Sequence, residues 1–173
     1  PYYLAGVKLS IPINSKWNIY TYILNGWQQI TDQNSGKSFA TQLEYRPNES
    51  NLLNWNTYVG DERSSLNPTF RMRYFSDFYW ISSPSKKFSF ITCFYGGLQE
   101  MTNDIHAIWW QGNLSVKWKF SDKHNLAGRI EYFHDPTNCM LVNQFNNEKV
   151  GIGSAGLCYN LRSEEHTSEL QSR

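Results

Sequence analysis

Four histidines, His106, His124, His134 and His166, are the first places to look for acid–base chemistry in this chain. A lipid-cleaving centre needs a histidine within hydrogen-bond reach of a serine that it activates. On a strand, the neighbour sharing a face stands two residues away, and no histidine lies mid-strand beside a serine at that spacing. His106 falls at a loop–strand junction, His124 in a tight turn, His134 at the start of a long loop and His166 in a divergent C-terminal stretch. His134, Asp135 and Cys139 are near enough in sequence to share a metal, but mixed ligands in one long loop read more simply as polar loop residues. Cys93, Cys139 and Cys158 form an odd set without CxxC spacing, so they define neither a zinc site nor a complete disulfide framework. One disulfide with a thiol left over stays open. Gly26, Gly60, Gly96 and Gly97 close strands, where backbone turning accounts for them. The expectation is therefore no enzyme: no catalytic residue, no metal and no cofactor.

The remaining chemistry is charge at period two. Arg71, Arg73 and Asp77 share one face of a strand-like segment, Lys117 and Lys119 one face of another, and Arg129 and Glu131 one face of a third. The opposite faces carry Phe70, Met72 and Tyr74, then Ile108, Trp110, Leu114, Val116, Trp118 and Phe120, then Leu126, Ile130 and Tyr132. If the charged faces line a lumen, charges of both signs set up a transverse field that biases ion passage. The other reading is that they form mutual ion pairs that fill and stiffen the interior. Because Arg and Lys predominate in this set, a weak anion preference is the expectation.

Elements that could position such faces are strands. From Tyr3 to Leu161 the sequence divides into nine segments rich in Tyr, Trp, Phe, Ile, Val and Thr, parted by Asn, Asp, Ser, Gly and Pro clusters. They lie near Tyr3–Ile11, Lys16–Gly26, Lys37–Arg46, Leu52–Gly60, Thr69–Ser82, Lys87–Gly97, Ala107–Phe120, Asn125–Phe133 and Val150–Leu161. Tight turns at 12–15, 47–50, 83–86 and 121–124 alternate strictly with longer connections at 27–36, 61–68, 98–106 and 134–149. That rhythm is how periplasmic turns and extracellular loops alternate in an antiparallel up-and-down transmembrane β-barrel. No run approaches the ~20 apolar residues of a membrane-spanning helix, and a mean hydropathy of -0.58 does not exclude strands that show lipid every second residue. Trp17, Tyr45, Trp55, Trp80, Trp118, Phe120 and Tyr159 fall at or near strand ends, where the aromatic girdles of a membrane barrel belong. A soluble barrel with its apolar face inward has the same alternation and remains an alternative.

Composition narrows the partners. With a net charge of +1 and 16% aromatic residues, the chain is neither a nucleic-acid-binding arm nor a disordered segment. Residues 163–173, reading SEEHTSELQSR, differ from everything before them and resemble a translated sequencing adapter; without them the charge is +3. The expected organisation is a partial barrel over 1–162 and a non-native tail over 163–173.

The ordered set Leu24-Asn25-Gly26-Trp27, Asp32, Asn34, Lys37-Ser38-Phe39, Tyr45-Arg46-Pro47, Tyr58-Val59-Gly60, Arg73, Phe75, Asp77, Tyr95-Gly96-Gly97, Arg129-Ile130-Glu131-Tyr132-Phe133 and Asp135 resembles the OmpL-like β-barrel porin family. The match runs from about Leu24 to Arg162 and departs at 136–148, where Cys139 and Met140-Leu141 replace a Gly-rich stretch. The resemblance implies an outer-membrane barrel with neither cofactor nor catalytic residues. The resulting expectation is a porin-like channel in a bacterial outer membrane, contacting outer-membrane lipid and passing small solutes or ions. Homo-oligomerisation is left open, as are a non-conducting adhesion or structural barrel and a soluble ligand-binding barrel. Because an odd, open set of strands leaves backbone groups unpaired in hydrocarbon, strands are expected to be missing at one or both ends.

Overall fold

Alternation of apolar and polar side chains dictates strands, and the computed structural model of the protein, which describes residues 4–32, 34–140 and 150–161, contains nine of them. They are β1 (Gly6–Pro12), β2 (Trp17–Leu24), β3 (Ser38–Asn48), β4 (Asn51–Asp61), β5 (Phe70–Ser85), β6 (Phe88–Met101), β7 (His106–Lys119), β8 (His124–Asp135) and β9 (Val150–Leu161). All pair antiparallel with their sequence neighbours in one sheet ordered β1 to β9, and β1 is not paired with β9. The up-and-down, all-β topology expected from the sequence is the one observed. Among the described residues no helix is long and apolar enough to cross a membrane.

Boundaries differ from the sequence reading in instructive places. Pro47 and Pro84 sit inside β3 and β5 rather than in turns, each at a shift of register, between Tyr45 and Asn48 and between Ser82 and Ser85. Lacking an N–H, proline is tolerated in a sheet where the ladder is already interrupted. The turns are correspondingly tighter. The connection expected at 98–106 is also shorter, because β6 continues to Met101 and one 3-10 turn (Thr102–Asp104), with Asn103 at a φ of 66°, completes the reversal.

The register fixes two faces. Side chains from strands two apart meet on one of them: Arg73 of β5 lies 5.4 Å from the ring of Trp109 on β7, which identifies that face as concave. It carries polar rows such as Glu44–Asn54–Tyr79 and Gln42–Asn56–Asp77–Tyr95–Gln111. The convex face carries Val7, Leu9, Ile23, Phe39, Phe78, Phe94, Leu114, Ile130 and Leu157, all exposed. This sheet is inverted relative to a soluble barrel. Phe70 departs from the expected pattern: a register shift between Phe70 and Arg73 turns it to the concave side, its ring 5.7 Å from the Arg73 guanidinium.

The concave packing is tightest where Trp109, 1% exposed, lies across Gly97. A Cβ added at Gly97 would fall within the Trp109 ring, whereas one added at Gly156 meets nothing within 4 Å. Gly97→Ala is therefore expected to destabilise the fold by about 1–3 kcal/mol through overpacking. Gly156→Ala should stay within about 0.5 kcal/mol of wild type. Urea unfolding of the refolded protein in detergent, followed by tryptophan fluorescence, checks the pair.

Candidate pore lining and its loop-end constriction

Tyr58 on β4, Phe75 on β5 and Tyr95 on β6 follow one another around the concave face because each pairs with its neighbour's equivalent or the next row. The β2–β3 connection bends back over them. Gly26, at a φ of 135°, supplies the turn that few other residues adopt, and Trp27 enters the concave space. Its ring lies 5.0 Å from Tyr58 and 4.8 Å from Phe75, both edge-on, and Phe75 lies 5.5 Å from Tyr95. Backbone and side chains fix Trp27 together. Its N–H donates to both carboxylate oxygens of buried Glu62, at 3.2 and 3.3 Å. Glu62 also accepts from the Tyr58 hydroxyl, which is within 2.8 Å of Ser38 Oγ.

Arg73 completes this end. Its guanidinium lies among the rings of Trp27 (5.6 Å), Phe70 (5.7 Å) and Trp109 (5.4 Å), and its Nε donates to Gln99 Oε1 at 2.8 Å. Cation–π contacts of a largely desolvated arginine are worth up to about 2 kcal/mol each. Gln99, fully buried, in turn donates to the carbonyls of Arg71 (3.0 Å) and Glu100 (2.8 Å). Asp135, also fully buried, accepts from the backbone N–H groups of Cys139 (3.0 Å) and Met140 (2.7 Å) and so holds the start of the β8–β9 connection against the same end. The Cys139 thiol is pushed up by burial, with Arg73 opposing, and stays neutral at pH 7. The long-connection end is thus narrowed by a packed cluster of Trp27, Arg73 and Trp109.

Beyond the cluster lies a cavity of ≈ 640 Å³ lined by residues from β2 to β8, among them Tyr22, Gln42, Asn56, Asp77, Asn113 and Arg129. Tyr22 donates to Gln42 Oε1 (2.7 Å) and Asn56 Nδ2 to Asp77 Oδ1 (2.6 Å). Glu131 is ringed by donors: Arg129, Ser154 Oγ at 2.7 Å and Gln111 Nε2 at 3.3 Å.

Of the charges singled out from the sequence, Arg73, Asp77, Lys117, Arg129 and Glu131 stand on the concave face, but they are not one cluster. Arg129 and Glu131 pair with each other, and Lys119 is drawn to the turn, where it meets Asp122 at 2.8 Å. Arg71 donates to the carbonyls of Pro68 (2.9 Å) and Phe70 (2.6 Å) and closes the β4–β5 connection rather than facing the cavity. The sequence reading missed Lys8, Glu44, Arg46 and Glu62. Lys8 lies over the ring of Tyr20 at 4.0 Å, and Arg46 pairs with Glu44 at 3.0 Å. Period two from Gln42 could have found Glu44 and Arg46; Lys8 is placed by the β1–β2 register, and Glu62 lies just past its strand.

The aromatics named from the sequence lie on the convex face, most of them at the tight-turn rim. Trp17 stacks on Tyr45 at 4.1 Å, Trp80 meets Phe90 edge-on at 4.8 Å, Trp118 lies 5.6 Å from Phe120, and Phe120 stacks on Tyr159 at 6.5 Å. Trp55 stands deeper, paired with Leu43 and Phe78, its Nε1 donating to Ser76 Oγ at 2.8 Å. A second belt, Phe94, Trp110 and Tyr132, with ring separations of 6.2 and 5.4 Å, lies toward the other end; the sequence placed Trp110 and Tyr132 on apolar faces without joining them into a belt. His134 belongs to this belt, within β8 rather than in a loop, 5.7 Å from the Trp110 ring. Being adjacent on a strand, His134 and Asp135 face opposite ways, so they do not converge on one metal with Cys139. Among the described residues no group of His, Cys, Asp and Glu is arranged to hold a metal ion. His166 and residues 162–173 lie outside the described residues, as does Leu141.

An antiparallel wall, polar on its concave side and apolar with aromatic rims on its convex side, is the wall of a transmembrane β-barrel. Over residues 1–166 the chain matches the family described as "Putative beta-barrel porin-2, OmpL-like", and it belongs to that family. None of the curated proteins matches the chain.

The β2–β3 connection is braced by Asp32, whose carboxylate takes a hydrogen bond from the Lys37 ammonium and another from the Asn34 N–H (3.1 Å). These, the lysine first, hold the Asp32 carboxyl below its ordinary value of 3.8. A depressed folded value stabilises the native loop at pH above 3.8 and ceases to do so as pH falls through the lower folded value. Amide hydrogen-exchange protection over 25–37, normalised to intrinsic rates, should fall in that acid window. In Asp32→Asn it should be low and flat across it.

Proposed function

We propose that this protein forms the wall of a passive diffusion channel for small solutes or ions in a bacterial outer membrane. The observation that carries the reading is the inversion of the sheet: exposed Val7, Leu9, Phe39, Phe78, Leu114 and Leu157 on the convex side, with Gln42, Asn56, Asp77 and Arg129 around the concave cavity. Such a wall suits lipid outside and water inside, and it speaks against a soluble barrel with an apolar interior. The open edges of β1 and β9 need partners before the sheet can lie in hydrocarbon, where unpaired backbone groups cost several kcal/mol each. The reading includes no catalytic centre and no cofactor; its partners are membrane lipid and the permeating solutes, with homo-oligomers allowed.

Charge pairing bears on selectivity. Glu44 with Arg46, and Glu131 with Arg129, neutralise one another, so the anion preference read from the visible Arg and Lys rests on Lys8, Arg73 and Lys117, offset in part by Asp77. A near-neutral pore with slight anion preference follows, and Lys117→Glu is expected to move the reversal potential in a KCl gradient toward cation selectivity. A clear cation selectivity in wild type would overturn this assignment.

The packed Trp27–Arg73–Trp109 end favours one competing reading, a non-conducting structural or adhesion barrel. Planar-bilayer recordings of the full-length protein separate the two. The channel reading expects discrete conductance steps that grow in Arg73→Ala, where the bridging guanidinium is gone. Silence in wild type and variant alike would favour the structural barrel. Membrane placement is checked separately: lipids brominated along their chains should quench the tryptophan fluorescence of the reconstituted protein, and less so once Trp118 and Trp17 are replaced by Phe.

A further inference from the structure

The cavity on the concave face combines two kinds of surface that rarely coincide in a merely water-filled space. On its loop side, Tyr58, Trp27, Phe75 and Tyr95 form an unbroken run of rings with successive separations of 5.0, 4.8 and 5.5 Å. Beside them, in the same row as Tyr95 and the next one along, stand short polar side chains, Gln42, Asn56, Asp77, Gln111 and Asn113. A carboxamide offers two N–H donors and a carbonyl acceptor, and an ionised carboxylate accepts only. The bonds already made, Tyr22 to Gln42 Oε1, Asn56 Nδ2 to Asp77 Oδ1 and Asn113 Nδ2 to Gln111 Oε1, leave Gln42 its two donors, Asn56 its carbonyl and Asp77 its second oxygen.

We propose that this cavity is a binding site for a neutral saccharide, a solute class that rests on the channel reading above and refines it. A sugar ring presents C–H groups on its faces and hydroxyls around its edge. The faces suit aromatic rings, and the hydroxyls, each donor and acceptor at once, suit mixed carboxamide and carboxylate groups. The volume of ≈ 640 Å³ falls among pockets of ~300–1,000 Å³ that hold small ligands. Charge argues for a neutral solute. The charged side chains lining the cavity, Asp77 and Arg129, are of opposite sign, and Arg129 is engaged by Glu131, so neither a phosphate nor a carboxylate finds a free cation there. The rings of the run are also continuous with the constricted end, so a saccharide entering past Trp27 would meet aromatic surface before it meets the polar wall.

The test uses the full-length protein and maltotriose as probe, read by two independent methods. Isothermal calorimetry in detergent micelles should show saturable binding, and in planar bilayers maltotriose should interrupt the single-channel current in a concentration-dependent manner. Tyr95→Leu, which keeps an apolar side chain but removes the π-face, should weaken both roughly three- to tenfold, whereas Tyr95→Phe should leave them near wild type. Asp77→Asn should weaken binding without altering folding, monitored by circular dichroism. Calorimetric binding without conductance would sink the channel reading and leave the site standing. Conductance with no maltotriose binding, or binding indifferent to Tyr95→Leu and Asp77→Asn, would overturn the proposal. Preferential binding of sodium benzoate over maltotriose, tested in the same calorimeter, would overturn it in favour of an anionic aromatic solute.

Discussion

Backbone hydrogen bonding between neighbouring strands is the constraint on which everything else here depends. Each strand satisfies its N–H and C=O groups laterally, and once the register is set the period of two decides where every side chain points. A slip of one residue between β6 and β7 would carry Trp109 to the convex side and Trp110 to the concave one, exchanging a buried ring over Gly97 for an exposed one. The register is therefore locked by side chains as well as by turns. The Gly97–Trp109 fit, the Asn56–Asp77 bond and the Ser154–Glu131 bond each exist in only one alignment. The polar interior, often regarded as the weak side of a barrel, is here the side that specifies alignment, because apolar contacts on the convex face are tolerant of which neighbour they meet.

The loop-end cluster follows from the same logic with one addition. Strands can position Arg73, Tyr58 and Trp109, but only an irregular segment can bring Trp27 back over them. That segment needs its own internal bonds because it has no ladder. Asn34 supplies several: its amide nitrogen donates to the carbonyls of Asp61 and Arg63, each at 2.9 Å, and its Oδ1 accepts from Gly36 N at 2.8 Å. Glu62 is the keystone, a buried carboxylate with no arginine or lysine ion-pair partner among the described residues, held by a tyrosine hydroxyl and a backbone N–H. Burying such a group is tolerable only because its donors are supplied in full.

How much of this was legible beforehand differs by level. Strand number, order and antiparallel sense were all readable from turn chemistry and alternation, and so were the two faces of β7 and β8, because those features are local. The family resemblance named Trp27, Asp32, Asn34, Arg73 and Asp135 as a pattern without saying why they occur together. The structure supplies the reason, since these residues converge from the β2–β3 connection, β5 and β8 onto one end. What escaped was non-local or irregular. Phe70 was misplaced because a register shift cannot be seen in a single strand, Arg71 because its partners are backbone carbonyls, and His134 because the strand outlasted the apparent loop signal of His-Asp-Pro. The outer belt of Phe94, Trp110 and Tyr132 was overlooked because strand ends were sought, and these rings lie several residues inside theirs.

The stacked rings at the tight-turn rim also determine how the sheet would respond to its surroundings. Trp17 against Tyr45, and Phe120 between Trp118 and Tyr159, stand close to three reversals of the chain, β1–β2, β3–β4 and β7–β8, so they form a rigid collar rather than independent anchors. In a bilayer thinner or thicker than its apolar band, a wall with such a collar cannot adjust by sliding individual strands past the headgroups. It must tilt as a unit or deform the lipid around it. Lipid thickness would then act on the opening at the other end, where Trp27 and Arg73 sit, through orientation of the whole wall and without any movement inside it.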